Sequence, residues 1–129
     1  MNISQAAQAS GLSARMIRHY EDIGLLPAPT RSQAGYRQYT ERNLHQLRFI
    51  HSARQLGFSM EQIAQLLALW QDRSRSSSEV KVLAQQHLQE LEQKIADLQA
   101  MHDTLAELAN SCQGDERPDC PIINSLATA

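Results

Sequence analysis

The sequence is poor in the residues that build catalytic loops and cross-linked scaffolds. Of its 129 residues, five are glycine, four are proline and two are cysteine, and aromatic residues make up 5 %. No apolar run nears the roughly 20 residues that a membrane-spanning helix needs. GxSxG, HExxH and a glycine-rich phosphate loop are all missing, so the common hydrolase and nucleotide signatures are excluded. The five histidines (His19, His45, His51, His87 and His102) are scattered and read as helix-surface or seam residues. No enzymatic activity is expected. The chain reaches Arg15 and Arg18 with no apolar stretch before them, so no secretory signal is expected and the setting is read as cytoplasmic. Thiols stay reduced there. Cys112 and Cys120 therefore read as metal ligands or redox groups and not as a structural disulfide. Two cysteines are also too few for an iron–sulfur cluster, which takes about four.

What is present is unevenly distributed. The net charge of −2 conceals a basic front and an acidic back. Residues 1–75 carry nine arginines against Glu21, Asp22, Glu41, Glu61 and Asp72, a surplus of four positive charges. Residues 76–129 carry Lys81, Lys94 and Arg117 against nine acids, a surplus of six negative charges. Only the front suits a polyanion such as DNA.

The opening residues suggest two short helices. Ser4 is a plausible N-cap, Ser10-Gly11 breaks the first helix, and Ser13 caps the second. Met16, Ile17 and Tyr20 recur at helical spacing, leaving Arg15, Arg18 and His19 largely on the opposite side. The pattern fits a DNA-reading helix-turn-helix; it fits an ordinary helical hairpin with solvated arginines as well. Pro27 and Pro29 end this region. Residues 30–40, TRSQAGYRQYT, alternate around Gly35 and predict a two-stranded hairpin with Ser32-Gln33-Ala34-Gly35 at its tip. A hairpin in this place is a wing, whose tyrosine hydroxyls and arginines can meet phosphates.

Thr40 is expected to cap a third helix with Leu44, Leu47, Phe49, Ile50 and Ala53 facing inward, and Gly57 to stop it. Ser59 and Gln62 form a capping box for a fourth helix over about 60–71. Arg54, near the end of the third helix, either reaches a phosphate or offsets the helix dipole. Ser76 and Glu79 suggest a further capping box. From there a helix of about 30 residues runs to Ser111. Its seam is Ala84, Leu88, Leu91, Ile95, Leu98, His102, Leu105, Ala109 and Cys112, alternating steps of four and three. Such a helix needs a partner, and no other helix in the chain matches its length. A two-fold homodimer through this seam is expected.

The tail closes on SCQGDERPDCPIINSLATA, with Asp119 as an N-cap candidate and Pro121 in the first turn of a short final helix. Cys112 and Cys120 stand with seven residues between them at the ends of a loop without histidine. Structural zinc takes four ligands. Asp115, Glu116 and Asp119 offer carboxylates for a divalent ion, whereas two thiolates alone suit a soft monovalent ion, Cu(I), Ag(I) or Au(I). Cys120 at a helix start would have its thiolate favoured by free N–H groups. C-x7-C spacing is not diagnostic in itself, and a redox dithiol or idle thiols fit it too.

Taken in order, MNISQAAQASGLSARMIRHYEDIGLL, GYRQYT, RQLGFS, the long helix and the ending C-x7-C-P resemble the MerR family of transcription regulators. Within that family the chain is similar to the copper-efflux (CueR-type) and gold-responsive regulators. The resemblance covers essentially the whole chain. It implies a mainly α fold: a winged helix-turn-helix DNA-binding domain (residues 1–75), a dimerisation coiled-coil helix (76–111) and a metal-binding loop with a terminal helix (112–129). It implies groove and backbone contacts from Arg15 and Arg18 with Tyr20 in support, and phosphate contacts from Arg31, Tyr36, Arg37 and Arg54. It implies one Cu(I), Ag(I) or Au(I) per loop between Cys112 and Cys120, near the start of the partner's dimer helix. Ser77 falls where divalent-ion sensors of the family carry a cysteine, and serine there leaves two sulfurs. The implied partners are promoter DNA, a second copy and RNA polymerase, with activation by bending and untwisting the promoter. A thiol–disulfide redox regulator is the alternative.

Overall fold

The computed structural model describes residues 1–129 as six helices and one two-stranded hairpin. The chain divides into two compact units, Met1–Leu83 and Ala84–Ala129. No helix is long and apolar enough to cross a membrane.

In the first unit, α1 spans Ile3–Ser10 and α2 spans Ala14–Asp22. The cap of α1 is Asn2 and not the expected Ser4. Asn2 Oδ1 accepts the Gln5 N–H and Gln5 Oε1 accepts the Asn2 N–H, both at 2.8 Å. The reason is reciprocity. A cap at Ser4 would put Ala7 at the third helical position, which has no side chain to return the bond. Ser13 caps α2 as expected, accepting from the Met16 N–H at 3.1 Å. Between them Gly11 takes φ 80°, a left-handed conformation open to glycine. A side chain there would also meet His51 Nε2 at 3.2 Å.

After α2 the chain forms β1 (Thr30–Arg31) and β2 (Arg37–Gln38), antiparallel with Thr30 opposite Gln38 and Arg31 opposite Arg37. The Ser32 N–H donates to the Tyr36 carbonyl at 2.8 Å, and the Gly35 N–H to the Ser32 carbonyl at 2.9 Å. The hairpin and its tip are those expected, although each strand is only two residues long. Thr40 caps α3 (Glu41–Gln55) through a box with Asn43. Ser59 and Gln62 form the predicted box at the head of α4 (Met60–Gln71).

The core joins all of these elements. Ile17, Tyr20, Leu47, Ile50 and Ile63 are its largest fully buried side chains, with Ala6, Leu12, Leu26, Tyr39, Ala53 and Leu67 around them. Burying each large side chain contributes about 1.5–3 kcal/mol, so α2 is fixed to the rest of the unit chiefly by Ile17 and Tyr20. Phe49 is half-buried and stacks on Trp70, with ring centroids 4.7 Å apart and planes within 5°.

The long helix α5 runs Ser77–Ser111, 35 residues, or about 52 Å at 1.5 Å per residue. At its head the expected Ser76–Glu79 capping box is replaced: the Ser76 hydroxyl lies 2.7 Å from that of Ser78, and the Glu79 N–H donates to the Ser76 carbonyl at 3.3 Å. Ser78 intercepts the hydroxyl before it can reach the helix N–H. In the second unit, α6 spans Pro121–Thr128. Its N-cap is Cys120 and not Asp119, because Pro121 at the first turn fixes the start one residue later than an Asp119 cap requires. Of the seam, Leu88, Ile95, Leu98 and Leu105 all lie more than half exposed. The chain by itself covers little of this apolar stripe.

Candidate functional site

Two places gather chemistry. The first is the outer face of α2 together with the hairpin. Arg15 and Arg18 are exposed, as is His19 beside them. Their orientation follows from the helical period: Ile17 and Tyr20 turn inward, so residues 15, 18 and 19 turn out. Tyr36, 73 % exposed, stands at the end of the hairpin turn. Arg31 is exposed and folds over the turn, donating from Nη1 to the Gly35 carbonyl at 2.9 Å.

Three more of the arginine and tyrosine residues expected at this face are engaged within the unit. Tyr20 is fully buried, and its hydroxyl accepts from Arg54 Nη1 at 3.0 Å. Arg37 donates from Nε to Glu21 Oε2 at 3.0 Å. Its side chain is 27 % exposed and that of Glu21 is 6 % exposed. The other Glu21 oxygen accepts from the Tyr39 hydroxyl at 2.5 Å. Burial first, and the adjacent Glu21 carboxylate second, push the Tyr39 hydroxyl well above its ordinary value. It therefore stays protonated and a donor at any physiological pH. Neither Glu21 nor buried Tyr39 was singled out by the sequence reading. One signal was available: Glu21 and Asp22 end α2, where the helix dipole disfavours acids, and an acid so placed needs a compensating partner.

The second place is the loop of residues 112–120. Cys112 follows the last residue of α5 and Cys120 is the N-cap of α6, and their sulfurs lie 3.8 Å apart. Both thiols are free and half-buried. The separation is nearly twice a disulfide bond of about 2.05 Å. It is somewhat less than the roughly 4.6 Å spanned by two metal–sulfur bonds of about 2.3 Å laid end to end. The Ile123 N–H at the head of α6 chiefly, with the Ile122 N–H and the neighbouring Cys112 thiol, lowers the Cys120 thiol below its ordinary value against the opposing effect of burial, although the thiol makes no cap hydrogen bond. This is the helix-start effect expected from the sequence. Asp115 is taken: Arg117 meets it through Nη2 at 2.8 Å, Nε at 2.9 Å and its backbone N–H at 3.0 Å. Glu116 and Asp119 are exposed. Nowhere do three or more His, Cys, Asp or Glu side chains gather in a way that could hold an ion. Ser77 is the first residue of α5 and is exposed.

Known proteins match this chain over nearly its whole length. Residues 1–70 match the family described as MerR HTH family regulatory protein, and residues 44–108 match MerR, DNA binding. Heavy metal-dependent transcription regulator 2 of Rhizobium meliloti (strain 1021) is 55 % identical over 127 residues, covering 98 % of this chain and 86 % of that protein. The HTH-type transcriptional regulator CueR of Salmonella typhimurium (strain LT2) is 44 % identical over 127 residues, covering 98 % and 92 %. The crystal structure of the transcription regulator PbrR691 from Ralstonia metallidurans CH34, in complex with Lead(II), superposes with a TM-score of 0.83 at 32 % identity and 98 % coverage of each chain. The chain belongs to the MerR family of helix-turn-helix transcription regulators, DNA-binding proteins and not enzymes, and within it to the heavy-metal-responsive, CueR-type group.

Proposed function

We propose that this chain is a transcriptional activator that responds to a soft monovalent ion, Cu(I), Ag(I) or Au(I), held one per loop by Cys112 and Cys120. The observation that carries this reading is the pair of sulfurs 3.8 Å apart with no third donor gathered beside them. Soft thiolates select soft ions, and two ligands leave a zinc ion two short of its usual four. Charge supports the same choice. Two thiolates around a +1 ion carry −1, next to the N–H groups of Ile122 and Ile123 that already favour the Cys120 thiolate. Asp115, held by Arg117, is not free to add an oxygen ligand. A relative of this fold solved with Lead(II) supports a heavy-ion sensor, and Ser77 in place of a cysteine keeps the sulfur count here at two.

In this reading residues 1–75 bind promoter DNA, residues 76–111 join two copies and residues 112–129 sense the ion. Arg15 and Arg18 on α2 enter the major groove, with Tyr20 supporting the helix from the core. Arg31 and Tyr36 on the hairpin, with the free nitrogens of Arg54, lie along the phosphates. The exposed seam of α5 covers itself against a second copy. The head of α6 carries Ile122, half-buried, and Ile123 and Leu126, exposed. Closing the loop on the two sulfurs fixes α6, and docking of this apolar face biases the dimer between two shapes imposed on DNA. Deforming the promoter costs on the order of a few kcal/mol, which sets the scale of the switch and brings the promoter into a form that RNA polymerase uses.

Anaerobic titration with Cu(I), Ag(I), Au(I), Zn(II) and Hg(II), read by transcription from the target promoter, tests the proposal. Activation by the three monovalent ions at one ion per chain is the expected result. Activation by Zn(II) in preference to them contradicts it. Activation by mild peroxide with every metal chelated favours the disulfide alternative.

A further inference from the structure

Glu21 lies in the last turn of α2 with its side chain 6 % exposed. A carboxylate so far withdrawn from water must be met by donors. Both donors come from the returning arm of the hairpin, 16 and 18 positions away: Arg37 Nε of β2 at one oxygen and the hydroxyl of Tyr39, just past β2, at the other. Tyr39 is itself anchored. Its ring is in the core, and its N–H donates to the Met1 carbonyl at 2.8 Å. The hairpin has only four strand residues, too few to hold an orientation alone. One carboxylate therefore joins the helix that carries Arg15 and Arg18 to the strand that follows Tyr36.

We propose that Glu21 is a positioning residue for DNA recognition, setting the angle between α2 and the hairpin, and that Arg37 serves chiefly as its tether and not as a phosphate contact. Paired at 3.0 Å, the two charges cancel at a distance, so Arg37 adds little to the net charge the DNA meets. Protein that bends DNA must press on it at two fixed places. A loosened hairpin keeps the groove contact and loses the flanking one.

This inference rests on α2 as the groove helix and the hairpin as the wing. The test uses the full-length protein and a duplex selected by the wild type from a random-sequence library. Footprinting is read separately at the central groove and at the flanks, and binding is measured across a salt series. Wild type is expected to protect both regions. E21Q is expected to lose flank protection and keep the central footprint. Tyr39→Phe keeps the ring in the core and removes one of the two donors, so it is expected to weaken flank protection even if E21Q fails to fold. The double variant E21Q/R37Q is expected to show the same slope of log affinity against log salt as E21Q alone. A slope shallower than that of E21Q by about 0.9, the signature of one further lost phosphate contact, overturns the tether role. Intact flank protection in both E21Q and Tyr39→Phe overturns the positioning role. Wild type that protects no flank removes the wing reading itself and this inference with it.

Discussion

Arg54 Nη1 donates to the Tyr20 hydroxyl across 3.0 Å, tying the end of α3 to the buried side of α2. The same arginine lies 3.8 Å from Met60 Sδ at the head of α4. It thus bridges three helices in addition to offsetting the α3 dipole. Tyr20→Phe keeps the buried ring and removes the acceptor. The variant is expected to lose about 0.5–1.5 kcal/mol of stability, measured by urea unfolding. Its DNA affinity is expected to fall as well, because Arg54 loses the contact that orients it. Unchanged stability and affinity would reduce the bond to an incidental contact.

The turn between α1 and α2 gives a second prediction. Gly11 and Gly24 share almost the same φ, 80° and 79°, yet a side chain at Gly11 meets His51 Nε2 at 3.2 Å while one at Gly24 meets nothing within 4 Å. Gly24→Ala is expected to cost the left-handed strain alone, about 1–2 kcal/mol. Gly11→Ala is expected to cost more, since His51 must also move. Thermal melting of the two variants gives the order directly, and an equal loss would show that His51 yields freely.

Much of this unit was legible because its signals are local. Ser13, Thr40 and Ser59 each cap a helix within three residues of their partner, and Gly57 stops α3 at a positive φ. The apolar positions of α3 follow one helical face into the core. What escaped was through-space. Glu21 finds Arg37 and Tyr39 only once the hairpin folds back on α2. Gln46, buried on α3 with Oε1 unpartnered, looks from its neighbours like any surface glutamine. Ser4 carries the oxygen of a cap, yet only Asn2 has Gln5 three residues on to return the bond. The cysteine pair shows the reverse case: spacing by itself said little, and the loop then placed the two sulfurs 3.8 Å apart.

The thiol of Cys120 carries a pH prediction. Its folded value lies below the ordinary one, so the thiolate is favoured by the fold. That stabilisation is present above the unfolded thiol value of about 8.5 and is lost as pH falls through the lowered folded value. In a Cys112→Ser variant, the rate of alkylation against pH is expected to show a lower midpoint in the folded chain than in urea. Removing Cys112 takes away one small contribution and leaves the Ile122 and Ile123 N–H groups in place. An equal or higher midpoint would contradict the helix-start geometry.

The exposed seam of α5 predicts the assembly. Leu98, 63 % exposed, stands at the middle of the nine seam positions. In the two-fold dimer proposed above, a seam residue so placed would face the matching region of the second copy. Leu98→Glu places two like charges there and is expected to convert a dimer to a monomer in analytical ultracentrifugation, with helicity in the first unit retained. A wild-type monomer at micromolar concentration would leave the seam unexplained.

The number of atoms that hold the ion decides whether two sulfurs suffice. X-ray absorption at the copper edge of anaerobically loaded protein counts them. Two sulfur neighbours with no nitrogen or oxygen are expected, and loss of the signal in both Cys112→Ser and Cys120→Ser. Three or more neighbours, or an oxygen or nitrogen among them, would contradict it.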